Sequence, residues 1–303
     1  MIRKGAVAIR PSGSAIELKQ RFGAHMSVAG GLENAFAAGA DVGCECLQVF
    51  VKNQRQWSAP ALKDDQVAAY REAAERTGLS PVVAHASYLI NLASPDEANR
   101  SRGIAAVVDE LKRCERLGID GLVLHPGAHM GEGVDAGIGR IADGLNQAHR
   151  KTPGFTTRVL LETTAGQGSS IGHELGHLSR IIDGVDAPRR IGVCIDTCHV
   201  FAAGYDISDE KAYASFMDEL TSLALLELVG CLHVNDSKGV CGSRLDRHDH
   251  IGKGRIGKNG FAPIIRDPRL AHVPRILETP KGKDGRGADF DRLNLKRLRA
   301  LLE

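Results

Sequence analysis

The chain has 303 residues, of which 43% are hydrophobic and 25% charged, a composition typical of a globular protein and unlike a collagen-like, coiled-coil or largely disordered chain. Lysine and arginine exceed aspartate and glutamate by 39 − 37 = 2, which neither indicates nor excludes binding of nucleic acid. No run of about 18 apolar residues offers a transmembrane helix. The seven cysteines are odd in number and form no Cys-x-x-Cys pair, which favours a reducing, cytoplasmic setting over a disulfide framework.

The first twenty residues stand apart from the rest of the chain. They contain basic side chains and only a short, weakly apolar stretch, which is too short for the apolar segment of a secretory signal. We expect residues 1–20 to be a disordered N-terminal extension. Residues 21–303 are then expected to form a single catalytic domain.

Short apolar runs recur along the rest of the chain, and each ends in a polar residue or is directly followed by one. Such runs are typical of parallel strands that helices cover on both faces. In chain order they span residues 21–25, 46–51, 81–85, 121–125, 158–162, 192–196, 230–235 and 274–278.

Helical patterns lie between these runs, at residues 64–77, 96–117, 137–150, 171–183, 209–228 and 293–302. Strands that alternate with helices indicate parallel βαβ units. Polar strand ends at residues 85, 125, 162, 196 and 233 recur every 34 to 40 residues, so about eight units fill the chain. The sequence therefore predicts a (β/α)8 TIM barrel. The alternative, a doubly wound open sheet, lacks the expected Gly-x-Gly-x-x-Gly after its first strand.

Residues with metal-binding side chains stand at the predicted strand ends, where barrels of this class place their active sites. Imidazoles and carboxylates together suit zinc, manganese or iron. Any one of these residues could instead be a buried polar group, but burying all of them without an ion would be costly. Six candidates stand at strand ends, and His199, Asp246 and His248 follow in the loops beyond two of them. Nine candidates are too many for one ion and suit three: His85, His125, Glu162, Asp196, His199, His233, Asp246, His248 and Glu278.

A basic, glycine-rich segment surrounds the last pair of candidates. Between Lys238 and Lys258 there are six basic and two acidic residues, interspersed with five glycines. Such a loop can approach a phosphate backbone closely, and clustered divalent ions suit phosphodiester chemistry. The same composition is equally consistent with a solvated, flexible loop.

Several long motifs occur in order from about residue 21 to the C-terminus. They include Lys52-Asn-Gln-Arg-Gln-Trp57, Leu161-Glu-Thr-Thr-Ala-Gly-Gln-Gly168, Cys194-Ile-Asp-Thr-Cys-His199 and His233-Val-Asn-Asp-Ser-Lys238. In these segments the chain resembles endonuclease IV (deoxyribonuclease IV), the zinc-dependent apurinic/apyrimidinic endonucleases. It departs from the usual family residues at Ala86, where Asp is frequent, and at Thr163, where Asn is frequent.

The resemblance implies three Zn²⁺ ions, with Mn²⁺ possible at one position. The implied ligand sets are His85, His125 and Glu162 for the first ion, Glu162, Asp196, His233 and Glu278 for the second, and His199, Asp246 and His248 for the third. Glu162 would be the catalytic bridging ligand that positions the attacking hydroxide.

The resemblance also implies a substrate. The enzyme would hydrolyse the phosphodiester 5′ to an abasic site in double-stranded DNA, leave a 3′-hydroxyl and a 5′-deoxyribose phosphate, and remove 3′ blocking groups. Arg55, Tyr88 and Leu89 would enter the duplex near the lesion, as an arginine and two bulky side chains can. A monomer in the cytoplasm, associated with the nucleoid of a bacterium and with no membrane partner, is expected.

One further motif matches a different zinc signature. His173-Glu-Leu-Gly-His177 fits His-Glu-x-x-His of metallopeptidases. If residues 171–183 are helical, Leu175 and Leu178 face the core and both histidines face solvent. We therefore interpret the motif as a chance match.

Two rival functions remain open at this point. A metal-dependent sugar isomerase or epimerase also places His, Asp and Glu at barrel strand ends, but it has little use for a third metal group or a basic loop. A DNA-binding barrel that has lost catalysis would not need the full ligand set. Fold alone does not separate these functions.

Overall fold

Eight parallel strands close into a barrel in the computed structural model, which describes residues 20–303. The predicted extension, residues 1–20, lies outside this range except for its last residue. The strands are β1 (Phe22–His25), β2 (Cys46–Phe50), β3 (Val82–His85), β4 (Gly121–Leu124), β5 (Arg158–Glu162), β6 (Ile191–Asp196), β7 (Val229–His233) and β8 (Arg275–Leu277). Each strand pairs with its neighbours in sequence, and β8 closes the barrel on β1. The predicted fold is confirmed.

The helices within residues 20–303 are α1 (Asn34–Val42), α2 (Asp64–Thr77), α3 (Glu97–Leu117), α4 (Val134–Arg150), α5 (Leu175–Asp183), α6 (Thr197–Ala203), α7 (Glu210–Ser222), α8 (Gly257–Arg266) and α9 (Phe290–Arg299). The expected helix at 209–228 ends at Ser222, and a 3-10 turn follows at Leu226–Leu228. The sequence did not predict α1, α6 or α8, since α1 and α6 are short and α8 contains Gly260 and Pro263.

The ends of α3 show how local sequence sets these boundaries. The carboxylate of Asp96 accepts the N–H of Asn99, which satisfies a donor that the first turn would leave unpaired. Gly118 ends the helix at φ 75°, a left-handed conformation that glycine adopts without steric cost.

The barrel interior is filled by small and medium apolar side chains. Seven strands each contribute one residue to this inner cluster: Cys46, Val83, Val123, Leu160, Cys194, Cys231 and Ile276. Leu160 occupies the middle because its neighbours lack side chains. A Cβ placed at Gly121, Gly192 or Gly230 would lie within 2.6–2.9 Å of the Leu160 methyl groups. The interior is therefore a packed core rather than a channel, and the polar residues collect at one rim.

Two short antiparallel ladders brace the loops at that rim. Asp236–Ser237 pairs with His248–Asp249, and Gly127–Ala128 pairs with Ser170–Ile171. The carboxylate of Asp236 accepts the N–H groups of Gly254 and Ile256 at 3.0 Å each, which fastens the far end of the basic segment. In the part of the chain that the structure describes, no helix combines the length and apolarity needed to cross a membrane.

Candidate metal centre

All nine candidate ligands meet at the carboxyl ends of the barrel strands. Four are the last residues of strands: His85, Glu162, Asp196 and His233. His125 and Glu278 each follow a strand by one residue. His199 lies in the first turn of α6, and His248 lies in the ladder that folds the basic loop back over the rim. Asp246 precedes that ladder, so the chain brings the whole set together from the ends of six strands, the first turn of α6 and one loop.

Glu162 is the hub of the arrangement. Its Oε2 lies 3.2 Å from Nε2 of His85 and 2.9 Å from Nε2 of His125. Its Oε1 lies 2.9 Å from Nδ1 of His233 and 3.4 Å from Nδ1 of His199. The side chain of Glu162 is fully buried. Both carboxylate oxygens therefore face imidazoles, as expected for a carboxylate placed between two metal positions.

Two further groups extend outwards from this hub. Nδ1 of His233 lies 3.2 Å from Oε2 of Glu278 and 3.8 Å from Oδ2 of Asp196. On the other side, Oδ1 of Asp246 lies 3.1 Å from Nε2 of His199 and 3.2 Å from Nε2 of His248. His248 also reaches Asp196 at 3.6 Å. The nine side chains form one continuous network.

The tautomers of the histidines indicate that cations belong in this network. His85 donates from Nδ1 to the carbonyl of Ala86 at 2.7 Å, and His199 donates from Nδ1 to the carbonyl of Thr163 at 2.9 Å. In the neutral ring the lone pair is then on Nε2, which faces a carboxylate. Nε2 of both His199 and His248 is buried, and although each lies 3.1–3.2 Å from Oδ1 of Asp246, neither makes a hydrogen bond of acceptable geometry among residues 20–303. A lone pair that faces a carboxylate is unfavourable unless a cation lies between them, so these residues fit metal ions.

The protonation equilibria agree with this interpretation. Burial alone would raise the pKa of Glu162, but His125 and His233 hold it well below its ordinary value. Burial alone would lower the pKa of His248, but Asp196 and Asp246 raise it to about 9. The site thus carries ionised carboxylates at neutral pH and a strong preference for positive charge.

Neighbouring polar side chains hold Asp196 and Glu278 in place. Asn235 is buried, donates to Oδ2 of Asp196 at 2.7 Å and accepts the N–H of Glu278 at 2.7 Å. Thr163 accepts the N–H of Asp196 at 3.0 Å. Such outer contacts fix the direction of a ligand's lone pairs. His85 bonds to the backbone carbonyl of Ala86, which any residue at this position would supply. The presence of Ala instead of the family's frequent Asp therefore does not remove this contact.

Comparison with known proteins places this chain in a family. A family model described as the xylose isomerase-like TIM barrel matches residues 36–298. A protein of Chloroflexus aggregans named probable endonuclease 4 is 49% identical over 282 residues, which cover 93% of this chain and 98% of that relative. The chain belongs to the endonuclease 4 family.

Solved structures agree with the assignment to the endonuclease 4 family. Endonuclease IV from Thermus thermophilus is 35% identical, with a TM-score of 0.81 over 93% of this chain and 98% of that chain. A D-tagatose 3-epimerase-like protein has a TM-score of 0.72 over 93% of this chain and 97% of that chain, at 18% identity. At 18% identity the second likeness shows only that the two proteins share a barrel fold, and a shared fold does not imply a shared function.

Gln48 contacts two of the candidate ligands in this endonuclease 4 family member, and the sequence analysis did not predict it. It lies in β2, fully buried, and its Oε1 accepts from Nε2 of His233 at 2.7 Å. Its Nε2 donates to Oε1 of Glu278 at 2.6 Å and lies 2.9 Å from Nδ1 of His25. The bond to His233 leaves the Nδ1 lone pair of that ring directed at Glu162 and Glu278. The available signal was a single polar residue in the apolar run of β2.

The residues expected to enter DNA lie beside the metal network. Tyr88 is 61% exposed and Leu89 is 37% exposed, and the Tyr88 ring lies 5.2 Å from the ring of His85. A cavity of about 280 Å³ opens next to Tyr88 and is lined by His125, Gln167 and Asp246 among others. Arg55 is exposed on the loop after β2. The structure thus places Tyr88 at the mouth of the cavity, with Leu89 exposed next to it in the chain.

The His-Glu-x-x-His motif lies differently from what the helical pattern predicted. The helix α5 begins at Leu175, so His173 and Glu174 precede it and do not follow its rotation. His177 is 5% exposed and does not face solvent, and the N–H of Gly172 in the preceding loop contacts its ring. The expectation that both histidines face solvent was therefore wrong.

Other histidines and cysteines near the rim are not part of the network. His129 accepts the N–H groups of Gly131 and Gly133 through Nδ1, which places it in loop structure. Cys194 and Cys198 are buried free thiols. Burial raises the pKa of the Cys198 thiol to about 12, so it stays protonated at neutral pH.

Proposed function

We propose that this chain is a zinc-dependent AP endonuclease of DNA repair. It would hydrolyse the phosphodiester 5′ to an abasic site, leave a 3′-hydroxyl and a 5′-deoxyribose phosphate, and remove 3′ blocking groups. The observation that carries the proposal is the nine-residue network centred on Glu162, beside exposed Tyr88 and Leu89. Membership of the endonuclease 4 family supports the reaction class.

The proposed metal assignment follows the three parts of the network. His85, His125 and Glu162 would hold one Zn²⁺, and Glu162 would share a second with Asp196, His233 and Glu278. His199, Asp246 and His248 would hold the third, and one of the three positions could take Mn²⁺. Divalent ions bound there supply Lewis acidity toward phosphate oxygens and a nucleophile at neutral pH.

The remaining tasks fall to side chains of this protein. The basic segment from Lys238 to Lys258 would contact the phosphate backbone, since lysine and arginine supply most sequence-independent DNA affinity. Tyr88 and Leu89 would fill the space in the base stack when the abasic nucleotide turns outwards, and Arg55 would enter the duplex from the neighbouring loop. The cavity of about 280 Å³ beside Tyr88 would receive that nucleotide.

The third ligand group favours nuclease over sugar epimerase chemistry. His248 and Asp246 belong to the basic segment, so the same loop that would contact phosphate also completes a metal site. A sugar epimerase would have no phosphate backbone to contact. The expected monomeric state and the cytoplasmic, nucleoid-associated location stay predictions.

The deciding experiment is incision of a duplex that carries one tetrahydrofuran abasic site. This analogue resists β-elimination, so cleavage reports hydrolysis. We expect a cut on the 5′ side that leaves a 3′-hydroxyl, with at least about three metal ions per chain measured on the same preparation. A fully metal-loaded protein that leaves the duplex intact but interconverts ketoses would overturn the proposal in favour of the epimerase.

A further inference from the structure

His173, Glu174 and His177 form a second cluster of ligand-type side chains, outside the nine-residue network. Nε2 of His173 lies 3.8 Å from Oε1 of Glu174, and Nε2 of His177 lies 3.6 Å from Oε2 of the same carboxylate. The two imidazole rings meet edge to face, with centroids 4.8 Å apart. One ligand atom from each residue lies within 4.8 Å of the others.

These separations suit a shared ion better than hydrogen bonds. Distances of 3.6 and 3.8 Å exceed the range of an N–H···O bond. Around a tetrahedral ion with ligand distances of about 2.0–2.2 Å, neighbouring ligand atoms lie about 3.3–3.6 Å apart. Small side-chain adjustments would therefore bring the three groups onto one ion.

The hydrogen bonding of His173 directs a free lone pair at this cluster. Its Nδ1 donates to the carbonyl of Ser170 at 2.8 Å, so in the neutral ring Nε2 carries the lone pair and faces Glu174. This arrangement repeats the one found for His85 and His199 in the main network, where a backbone carbonyl fixes the tautomer.

We propose that His173, Glu174 and His177 bind an additional divalent cation, with Zn²⁺ the best match for two imidazoles and a carboxylate. Glu174 is exposed, so water would complete the coordination. The site would be structural. It would join the loop that lines the cavity beside Tyr88 to the first turn of α5, since that loop contributes Gln167 and Ser170 to the cavity wall.

Metal binding at this site has a specific local cost. The backbone N–H of Gly172 lies 3.4 Å from Nδ1 of His177, a long contact in which the ring nitrogen is the acceptor. Coordination through Nε2 requires the ring proton on Nδ1, so Gly172 would lose this acceptor. The amide resonance of Gly172 should therefore shift when the ion binds.

Metal counting against matched variants tests the proposal. Wild type, His173→Gln and Glu174→Gln are equilibrated with the same buffered free Zn²⁺, and zinc per chain is measured by mass spectrometry. We expect wild type to hold one more equivalent than either variant. His272→Gln, which changes an exposed histidine elsewhere, should match wild type. Because the result is a difference, it does not depend on how many ions the main network holds or on whether the protein cuts DNA.

A measurement on unaltered protein guards against misfolded variants. Protein labelled with ¹⁵N, its main network loaded, is titrated with Zn²⁺ while the Gly172 amide is followed. Anomalous diffraction at the zinc edge locates the bound ions. A shift at Gly172 and a peak between His173 and His177 would support the site. Equal zinc content in all four proteins, with no peak between the two rings, would overturn it.

Discussion

The ammonium group of Lys52 lies 3.3 Å from the carboxylate of Glu110, and the two side chains are 2% and 1% exposed. Lys52 also donates to the carbonyl of Trp57 at 3.0 Å, while Glu110 accepts the N–H of Ser87. Lys52 begins the loop that carries Arg55, and Ser87 directly precedes Tyr88. One buried ion pair between α3 and the loop after β2 therefore connects both loops that are proposed to engage the lesion.

Breaking this pair should weaken DNA engagement through the loops. Glu110→Gln leaves the buried Lys52 ammonium with only the carboxylate of Asp109, 3.5 Å away and 37% exposed, as a charged partner. We therefore expect a loss of unfolding free energy below the about 3–5 kcal/mol that is typical of a buried charge left fully unpaired. We expect the KM for abasic duplex to rise several-fold while turnover of a small chromogenic phosphodiester is kept. Unfolding in urea and steady-state kinetics on both substrates check this.

Two variants separate loop anchoring from general stability. Glu75→Gln removes an exposed carboxylate on α2 and should change neither the free energy of unfolding nor the KM for abasic duplex. Lys52→Met combined with Glu110→Gln should recover much of the stability, because no unpaired buried charge remains, yet keep the raised KM. A KM that returns to the wild-type value with stability would show that the pair does not position the loops.

Glu162→Gln should remove incision and leave the fold largely intact. The amide is nearly isosteric with the carboxylate, but it presents N–H groups to imidazoles that already surround both oxygens. We expect at least about a 100-fold loss of incision rate together with lower metal content. Circular dichroism checks the fold. Turnover like that of wild type would contradict the role assigned to Glu162.

Gln48→Met should weaken metal binding from outside the ligand set. Without the amide, nothing at this position holds His233 in the tautomer that directs Nδ1 toward Glu162 and Glu278. Loss of such an orienting contact typically costs about 10–100-fold in metal affinity or activity. Competition with a zinc chelator measures the affinity, and Gln147→Met on α4 is the control. Equal affinities for Gln48→Met and wild type would assign Gln48 to packing alone.

Tyr88→Ala and Arg55→Ala should reduce lesion affinity without changing metal content. Stacking side chains are typically worth about 1–3 kcal/mol per base, which corresponds to roughly a 5–150-fold change in Kd. Binding of a tetrahydrofuran duplex, followed by fluorescence anisotropy, gives the affinity, and metal analysis of the same samples is the control. Unchanged affinity and rate would remove either residue from the site.

His149 should make stability depend on pH. It is buried, neither ring nitrogen has a partner within residues 20–303, and burial and Arg190 lower its pKa from 6.5 to about 4. Between pH 6.5 and 4 the unfolded chain binds a proton at His149 and the folded chain does not. The free energy of unfolding is therefore unaffected by His149 above pH 6.5 and falls as the pH drops from 6.5 towards 4. His149→Leu should therefore gain unfolding free energy relative to wild type on going from about pH 7.5 to about pH 5.

Urea unfolding of both proteins at both pH values measures this difference, in which contributions from the metal ligands cancel. His272→Leu, at an exposed position, should follow wild type at each pH. A stability difference between His149→Leu and wild type that does not change with pH would mean that His149 titrates normally in the folded protein.

Much of this molecule could be predicted from sequence because the relevant signals are local. A barrel strand buried on both faces needs a short apolar run, and the rim needs a polar residue where the run stops. Those two requirements locate the strands and the six network residues at strand ends without any knowledge of distant contacts, whereas His199, Asp246 and His248 lie beyond the strands. Helix α2 also has the predicted bounds, since Gly78 ends it in the left-handed conformation that glycine favours.

The tertiary structure decided what depends on distant partners. Gln48 and His233 are 185 residues apart in the chain, and no local pattern marks a neutral amide as the partner of an imidazole. Lys52 and Glu110 each resemble ordinary surface charges until the fold buries them together. His173 lies outside α5, so a helical pattern misplaced it. The sequence specifies which side chains are present. Their burial and their contacts, which give each side chain its role, depend on the closed barrel.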